Sequence, residues 1–559
     1  MLNFEDSITI FCRNNNVQKE VLIGSSLFEI YEAVGSPLRH RPLCARVNNR
    51  VRTLTYRCWQ PKDVVFLDYT ALPGFRTYVR TLCFILTKAV HDLFPGRPFN
   101  LVHPVSKGYY CTFVDQETIL EEDVVKIKQR MDEIIKADKR FLLKTIRTTE
   151  AVDLFRSHAM DDKAVLLETA GLSYASYYEL DGYIDYFYGC LTPSAGYTPL
   201  YDIIPYHTGL LLRVPQLDNP YELNPVIRQD MMFEEYKRFY AIQRTVGLNN
   251  VGDLNLAIRN GRTSEVIMVS EAIQEKRIAS IAEKIARRYN ENGVRVILIA
   301  GPSSSGKTTF CKRLQVQLIT NLLHPLAISL DDYYVNRDDT PKDEHGNYDF
   351  ESLYAIDLPY FKNDLKRLIE GEEIELPSFN FSIGKRVSKG NKLKMQPNSI
   401  LLLEGIHGLN PELTDSIPPE RIFRVYVSAL TTISLDGHNW IPTTDNRLLR
   451  RIVRDYQFRG YSAKQTISMW PSVRRGEDQW IFPYQENADE LFNSAMLYEF
   501  ASLRQYAEPI LNEVAENDDE YAEAYRLMRF LRYFNPIYEN ELPGTSILRE
   551  FLGGGKFKY

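Results

Sequence analysis

The residues with the clearest chemical potential lie in one loop rich in glycine and serine. From Gly301 to Thr308 the sequence reads Gly-Pro-Ser-Ser-Ser-Gly-Lys-Thr, which has the spacing G-x-x-x-x-G-K-T. An apolar run at 294–300 precedes the loop and a helical pattern follows from Phe310, which is the context a phosphate-binding loop requires. Glycines let successive backbone amides curl toward phosphate oxygens, and the helix N-terminus adds partial positive charge. The sequence therefore predicts a site for a nucleoside triphosphate.

Each residue type in this loop has its own predicted role. Lys307 supplies a mobile ammonium group for the β- and γ-phosphates, and the hydroxyl of Thr308 is placed to ligate Mg²⁺. The backbone amides from Ser304 onward are expected to face the phosphates. The alternative is a chance turn before a helix, and the agreement of motif and context argues against it. The predicted ATP-binding residues in the loop are Gly301, Ser303, Ser304, Ser305, Gly306, Lys307, Thr308 and Thr309.

Carboxylates follow two apolar runs that are typical of buried parallel strands. Asp331 and Asp332 come after 326–330, and Glu404 comes after 399–403. The carboxyl ends of such strands meet in one crevice, where phosphoryl transfer needs a metal ligand and a base. Glu404 suits Mg²⁺, and Asp331 suits the base that takes a proton from the attacking hydroxyl. The alternatives are a helix-capping acid for Glu404 and an Asx turn for Asp331, a part that Asp332 fits better.

Arginines recur with helical spacing after the last of the apolar runs. Arg447, Arg451 and Arg454 are spaced i, i+4, i+7, so one helix face would present three guanidinium groups. Arginine forks neutralise the charge on a transferring phosphoryl group well. A solvated helix face balanced by Asp445 and Asp455 is the alternative. The position of the cluster, where a lid over the site would lie, favours phosphate contact.

Composition sets broader bounds on the class of protein. The chain has 559 residues, 44% of them hydrophobic, and a net charge of −6, which argues against bulk binding of polyanions. Its 7 cysteines include no C-x-x-C pair, so neither a zinc site nor a disulfide framework is indicated. The N-terminus lacks signal-peptide features, and no apolar run approaches the ~20 residues of a membrane span. These features predict a cytoplasmic protein with no membrane contact.

Strand and helix patterns alternate from about residue 294 onward, which predicts a doubly wound α/β sheet. Upstream, short alternating strands around one helix are typical of a small β-grasp module, and an α+β region follows. We expect helices at 75–93, 121–137 and 270–289, with a boundary at Leu72-Pro73-Gly74.

The region from about 294 to 500 resembles the phosphoribulokinase/uridine kinase family. Beside the phosphate loop, the resemblance rests on Ser329-Leu-Asp-Asp-Tyr-Tyr334, Asn347-Tyr-Asp-Phe, Leu403-Glu-Gly-Ile, the arginine run from Arg450 to Gly460, and Asn487-Ala-Asp489. It implies that Asp331 is the general base toward a sugar 5′-hydroxyl and that Asp349 holds the ribose hydroxyls. It further implies that Thr308 and Glu404 serve the metal, and that the lid arginines are Arg451, Arg454 and Arg459.

These implications complete the predicted site. Asp331, Lys307, Arg451 and Arg454 are the catalytic candidates, and Arg459 joins the ATP-binding residues. The substrate-binding candidates are Asp349, Tyr334, Phe379 and Arg451.

The chain departs from the family where uridine kinases read the base. A tyrosine and a histidine expected there are Phe379 and Gly384, and a lid arginine expected after Gly460 is Tyr461. Phe379 and Phe381 could stack on a base or pack in the core. His345, near the acceptor region, is interpreted as part of a surface turn. Kinase activity is therefore expected, and the acceptor is left open.

The N-terminal half carries a second resemblance. Residues 1–70 resemble a TGS domain, and about 75–215 resemble the editing domain of threonyl-tRNA synthetases through Ala89-Val-His-Asp-Leu-Phe-Pro95 and Lys107-Gly-Tyr-Tyr110. The H-x-x-x-H pair of that domain is replaced by Arg80 and Phe84, and no histidine completes a Cys-x-x-x-His spacing after Cys190. Loss of hydrolytic editing is implied.

Together these features predict a multidomain chain of α/β and α+β classes. The leading hypothesis is an ATP- and Mg²⁺-dependent kinase acting on a nucleoside or another ribose-bearing small molecule. The alternative is a regulatory ATPase whose N-terminal domains bind RNA or the ribosome. RNA contact and homo-oligomerisation stay open. The predicted domains are a TGS-like β-grasp module at 1–70, an editing-like α+β domain at 71–215, a helical connector at 216–285, and a P-loop domain with a helical tail at 286–559.

Overall fold

A computed structural model describes residues 6–35, 37–115, 117–343, 346–380 and 383–558. Phe381 and His345, for which the sequence suggested roles, fall outside these ranges. Within them, no helix combines the length and the apolar character needed to cross a bilayer.

The first unit is a mixed five-stranded sheet with one helix packed on it. Its helix begins with a capping box between Ser26 and Glu29, and Leu27, Ile30 and Val34 form its buried face. The strand order is β2-β1-β5-β3-β4. Its elements are β1 (Ser7–Cys12), β2 (Val17–Leu22), α1 (Leu27–Val34), β3 (Cys44–Val47), β4 (Arg50–Thr53) and β5 (Lys62–Leu67).

The second unit holds two antiparallel sheets, ordered β10-β9-β8 and β11-β12-β7-β6. The helix predicted at 75–93 begins earlier, because Leu72-Pro73-Gly74 forms its first turn, where proline loses no hydrogen bond. Gly74 is required there because a Cβ atom would lie 1.8 Å from the Asp68 carbonyl oxygen. The elements are α2 (Leu72–Leu93), β6 (Phe99–Val105), β7 (Gly108–Phe113), α3 (Glu121–Ala137), β8 (Leu142–Arg147), α4 (Thr148–Ser157), α5 (Asp161–Ala170), β9 (Tyr174–Leu180), β10 (Tyr183–Asp185), β11 (Asp202–Tyr206) and β12 (Gly209–Arg213).

Three helices lead from this unit to the phosphate loop: α6 (Asp230–Val246), α7 (Val251–Arg259) and α8 (Thr263–Asn292). The last of them is longer than the predicted span of 270–289 and continues past residue 285 without a break. Its buried residues Ile278, Ile281 and Ile285 belong to the core cluster that covers the following sheet.

The third unit is built on a parallel sheet with the order β14-β17-β13-β18-β19. Ile297 and Ile299 of the central strand face one core layer, and Val296 and Leu298 face the other, which is the period of two expected for a strand. The predicted doubly wound parallel sheet is confirmed. The elements are β13 (Val296–Ala300), α9 (Lys307–Thr320), β14 (His324–Ser329), α10 (Leu358–Ile369), β15 (Glu373–Asn380), β16 (Lys385–Lys394), β17 (Ser399–Glu404), β18 (Ile422–Ser428), α11 (Thr443–Phe458), α12 (Ala463–Trp480), β19 (Glu490–Asn493), α13 (Glu499–Asn512), α14 (Tyr521–Leu531) and α15 (Arg549–Leu552).

The loop 429–442, which joins β18 to α11, is fixed to the second unit by buried charges. Lys163 lies 3.0 Å from a carboxylate oxygen of Asp185 and 2.9 Å from one of Asp436, and all three side chains are at most 1% exposed. His438 of the same loop lies 2.7 Å from Asp185. Although burial opposes it, His438 and Lys163 hold the pKa of Asp185 below its ordinary value. The network therefore joins the loop before α11 to the second unit.

Replacing Lys163 by methionine is expected to lower the free energy of unfolding by about 3–5 kcal/mol, because two buried carboxylates lose their cation. Chemical denaturation followed by tryptophan fluorescence measures the loss. Lys139→Met is the matched control, since Lys139 forms an exposed pair with Asp181 at 2.7 Å and should cost about 1 kcal/mol or less. Equal losses in the two variants would contradict an anchoring role for Lys163.

Candidate active site

The phosphate loop between β13 and α9 has the backbone of an anion-binding nest. Gly301, Ser304 and Gly306 have φ values of 154°, 59° and 84°. A Cβ atom on Gly301 would lie 2.0 Å from the Val427 carbonyl oxygen, so only glycine fits there. Ser304 adopts a left-handed conformation that costs a non-glycine residue free energy, and such strain concentrates at functional sites. The loop amides and the N-terminus of α9 together form a concave set of donors.

The polar side chains of the phosphate loop differ in their hydrogen bonding. Lys307 is 8% exposed, and its ammonium group donates to the Pro302 carbonyl at 3.2 Å. The hydroxyls of Ser304 and Ser305 are buried and have no hydrogen-bond partner among the described residues. Thr308 is half-buried in the first turn of α9. Buried hydroxyls and an inward-facing lysine are suited to a polyanionic ligand.

Glu404 ends β17, the strand between β13 and β14. Its backbone is in register with Ile299 on one side and Ser329 on the other, so Glu404 lies between the phosphate loop and Asp331. Burial raises the pKa of Glu404 to about 7; Asp331 also raises it, and Lys307 opposes the shift. A carboxylate and a hydroxyl are oxygen donors of the kind that Mg²⁺ prefers, so Glu404 and Thr308 fit the predicted metal by their chemistry.

Asp331 lies beside an aromatic pair at the end of β14. The Tyr334 hydroxyl forms a hydrogen bond with Asp331, and the Tyr334 ring contacts Phe379 edge to face with centroids 5.7 Å apart. Asp332 has a different contact, since it accepts the Phe379 amide at 3.1 Å. Asp349 accepts the backbone amide of Glu351 at 3.2 Å. Asp331, Asp332, Tyr334 and Phe379 therefore form one connected group at the end of β14.

The arginines of α11 converge on one buried carboxylate. Asp455 is fully buried and lies 3.2 Å from Arg451, 2.8 Å from Arg454 and 3.7 Å from Arg459. Arg451 also donates to the Ser303 hydroxyl at 3.0 Å, which connects this group to the phosphate loop. The three predicted lid arginines are thus brought together beside the loop.

Arg447, the first arginine of the i, i+4, i+7 pattern, is buried and bonded to other protein groups. It pairs with Glu477 of α12 and donates to the Ser303 carbonyl at 3.0 Å. Burial lowers the pKa of Arg447 to about 9, with Arg474 adding to the shift. Helical spacing alone could not show that Arg447 and Arg451 have different partners, because both lie on one face of the helix.

Two acids in the site were not found from the sequence. Burial raises the pKa of Glu351 above its ordinary value, while the neighbouring cations Arg451 and Lys307 oppose the shift. Glu550, on the short helix α15, accepts hydrogen bonds from the Thr309 amide at 2.9 Å and the Thr309 hydroxyl at 2.7 Å. Neither acid was given a role in the site from the sequence, and Glu550 lies 241 residues from Thr309 in the chain. Glu550 therefore occupies donors that the sequence assigned to phosphate.

The raised pKa of Glu404 predicts how stability depends on pH. From the ordinary value of 4.5 up to about 7, the folded state holds a proton that the unfolded state releases, so stability falls as pH rises through this window. Glu404→Gln should flatten this dependence and raise the melting temperature at pH 8 by roughly 2–4 °C per kcal/mol recovered. Thermal unfolding in a chelator at several pH values measures it. Exposed Glu420→Gln is the control, and an unchanged slope in Glu404→Gln would contradict the assignment.

Removal of the Glu550 charge should strengthen ADP binding by about two- to tenfold, because a carboxylate would no longer repel phosphate at Thr309. Calorimetric titration measures the change, which should shrink at high salt. The pair of variants is Glu550→Gln and Glu541→Gln, the second being an exposed acid of the same C-terminal segment. Weaker ADP binding in Glu550→Gln would show instead that this carboxylate supports the loop.

Comparisons with known proteins find similarity over the third unit. Residues 296–497 match the phosphoribulokinase / uridine kinase family. A uridine kinase from Halobacterium salinarum is 29% identical over 195 residues, which cover 34% of this chain and 76% of that protein. A uridine kinase from Lactobacillus johnsonii is 29% identical over 196 residues, which cover 35% of this chain and 83% of that protein.

Among solved structures, D-glycerate 3-kinase from Cryptococcus neoformans var. grubii aligns at 16% identity with 51% of this chain and 90% of its own, with a TM-score of 0.22. The family match and the uridine kinase relatives support a P-loop kinase domain of the phosphoribulokinase/uridine kinase family in the C-terminal part of this chain.

Proposed function

We propose that this chain is an ATP- and Mg²⁺-dependent kinase that phosphorylates a hydroxyl group of a nucleoside or another ribose-bearing small molecule. One observation carries the proposal: a phosphate-binding nest, a carboxylate suited to a metal, and a second carboxylate beside an aromatic wall converge at adjacent strand ends. Phosphoryl transfer requires little more than that positioning and charge neutralisation.

In the proposed complex, the amides of the phosphate loop and Lys307 hold the β- and γ-phosphates of ATP. Thr308 and Glu404 would hold Mg²⁺, which when bound neutralises phosphate charge. Lys307 already reaches toward the loop from a nearly buried position, so little side-chain freedom is lost on binding. Binding of a cation would also favour the ionised form of Glu404, whose pKa is about 7 without it.

The transfer step assigns Asp331 as the base. The acceptor hydroxyl oxygen attacks the γ-phosphorus, and the bond from that phosphorus to the β,γ-bridging oxygen breaks. The hydroxyl proton passes to the Asp331 carboxylate, and ADP leaves with the bridging oxygen. Arg451, Arg454 and Arg459 exchange part of their contact with Asp455 for the transferring group, whose charge they neutralise.

The acceptor class follows from the wall around Asp331. Asp349 would offer carboxylate oxygens to vicinal hydroxyls, Arg451 is a further substrate-binding candidate, and Tyr334 with Phe379 gives an aromatic face for a planar base. The relatives named above are uridine kinases, yet Phe379 and Gly384 replace the residues that read the base in that family. The proposal is therefore a ribose-bearing acceptor, with uridine as one candidate among the nucleosides.

The N-terminal half is proposed to be a TGS-like module at 1–70 and an editing-like domain at 71–215, joined by helices at 216–285 to the kinase region at 286–559. The five-stranded sheet carrying one helix supports the first assignment. Cytoplasmic location and RNA contact by these domains belong to the same proposal.

Asp331→Asn should lower kcat about 10²- to 10⁴-fold while leaving the affinity for ADP nearly unchanged, because only the base is removed. ADP release is measured with a panel of nucleosides and sugars, with and without tRNA. Asp332→Asn is the matched control, since an asparagine there can still accept the Phe379 amide.

Full turnover in Asp331→Asn would contradict the assigned base. If tRNA alone stimulated ADP release and no small acceptor did, a regulatory ATPase would replace the kinase as the proposed function.

A further inference from the structure

A second cavity, of about 300 Å³, lies outside the kinase site between β6, β7, α6 and the loop 429–442. This volume is at the lower end of the range of about 300–1,000 Å³ that is usual for ligand pockets. None of the phosphate-loop residues lines it. Its walls combine aromatic rings with polar side chains, among them His103, Tyr110, Thr112, Phe233 and Gln243.

His103 of β6 is the central polar group of this cavity. The side chain is 3% exposed, and its ring stacks on Tyr236 with centroids 3.8 Å apart. Nδ1 lies 3.4 Å from the Tyr240 hydroxyl, whereas Nε2 has no hydrogen-bond partner in the described part of the chain. Burial lowers the pKa of His103 to about 3, so the imidazole is neutral and Nε2 can bond a neutral partner.

The Gln243 amide oxygen is a second buried atom of this cavity that has no hydrogen-bond partner within the described ranges. The Gln243 amide nitrogen donates to the Leu248 carbonyl at 3.3 Å, which fixes the orientation of the amide. The Thr112 hydroxyl interacts with the Tyr110 hydroxyl and keeps a further hydrogen-bonding position. Buried polar atoms are normally paired, so two unpartnered atoms around one cavity indicate a ligand that pairs with them.

The positions of the charged side chains around the cavity argue against a ligand that carries a charged group into its interior. Glu234, Lys237 and Arg244 line the cavity, and all three side chains are exposed to solvent, so they mark its rim. A charged group placed deeper would have no counter-charge. The interior instead offers an acceptor at Gln243, a donor and acceptor at Thr112, and the flat faces of aromatic rings.

We propose that this cavity is a second small-molecule site that binds the neutral heterocyclic base of a nucleobase or nucleoside. The edge of such a base carries adjacent N–H and C=O groups, which match the Gln243 oxygen and the Thr112 hydroxyl, while His103 pairs with a third edge atom. Its planar ring suits walls containing Phe233 and Tyr240.

The occupant would touch the segment that leads into the arginine helix. Thr432, Ser434 and Gly437 of the loop 429–442 line the cavity. The loop is held there by backbone bonds from Leu101 to Gly437 and from Val251 to Ser434, both 2.9 Å. A base bound here would therefore contact both the second unit and the only covalent connection from β18 to α11.

The test is calorimetric titration of the full chain with free uracil, cytosine, adenine and guanine, which have no hydroxyl acceptor for phosphate. At least one base should bind, and Thr112→Val, which keeps the shape of the side chain, should weaken it about two- to tenfold. His103→Phe should weaken it further. Thr245→Val is the matched control: Thr245 is an exposed threonine of α6 outside the cavity that bonds its own helix at 3.0 Å.

Phe379→Ala removes the aromatic face assigned to a base in the kinase acceptor site, so it separates the two sites and should leave base binding to the cavity unchanged. Absence of binding by all four bases would overturn the proposal. So would binding that Phe379→Ala abolishes and Thr112→Val leaves intact, and that result would leave the proposed kinase function standing. Melting temperatures of the variants near the wild-type value establish that the cavity variants fold.

Discussion

A buried ion pair between Arg450 and Glu499 holds the phosphate loop in its working shape. Both side chains are fully buried, and Arg450 also donates to the Ser494 carbonyl at 2.9 Å and to the Ser304 carbonyl at 3.4 Å. The Ser494 hydroxyl in turn donates to the Ser305 carbonyl. Removing one partner would leave a buried charge uncompensated, so the loop, the arginine helix and α13 form one interdependent unit.

The cations beside the loop are neutralised by internal carboxylates. Asp455 gathers the lid arginines, Glu477 pairs with Arg447, and Glu550 occupies the Thr309 donors. A polyphosphate entering this crevice would replace some of these contacts, and the net gain would be smaller than the phosphate contacts alone suggest.

The elements and site residues that the sequence predicted correctly are those marked by a pattern of neighbouring residues along the chain. The helix predicted at 121–137 is observed with those bounds, because its apolar stripe and first-turn acids are local features. The strand β19 was missed, since four residues give too short a pattern. The motifs located Lys307, Asp331 and Glu404, whereas Glu351 and Glu550 reach the site through tertiary packing that no spacing along the chain encodes.

Transfer of a labelled γ-phosphate tests the kinase assignment most directly. Wild-type protein is incubated with ATP carrying ³²P at the γ-position, Mg²⁺ and single nucleosides, and the products are separated. We predict that the label appears on a nucleoside hydroxyl in proportion to the ADP formed. Label found only as inorganic phosphate, whatever acceptor is present, would contradict the account, because the crevice beside Asp331 would then activate water rather than a ribose hydroxyl.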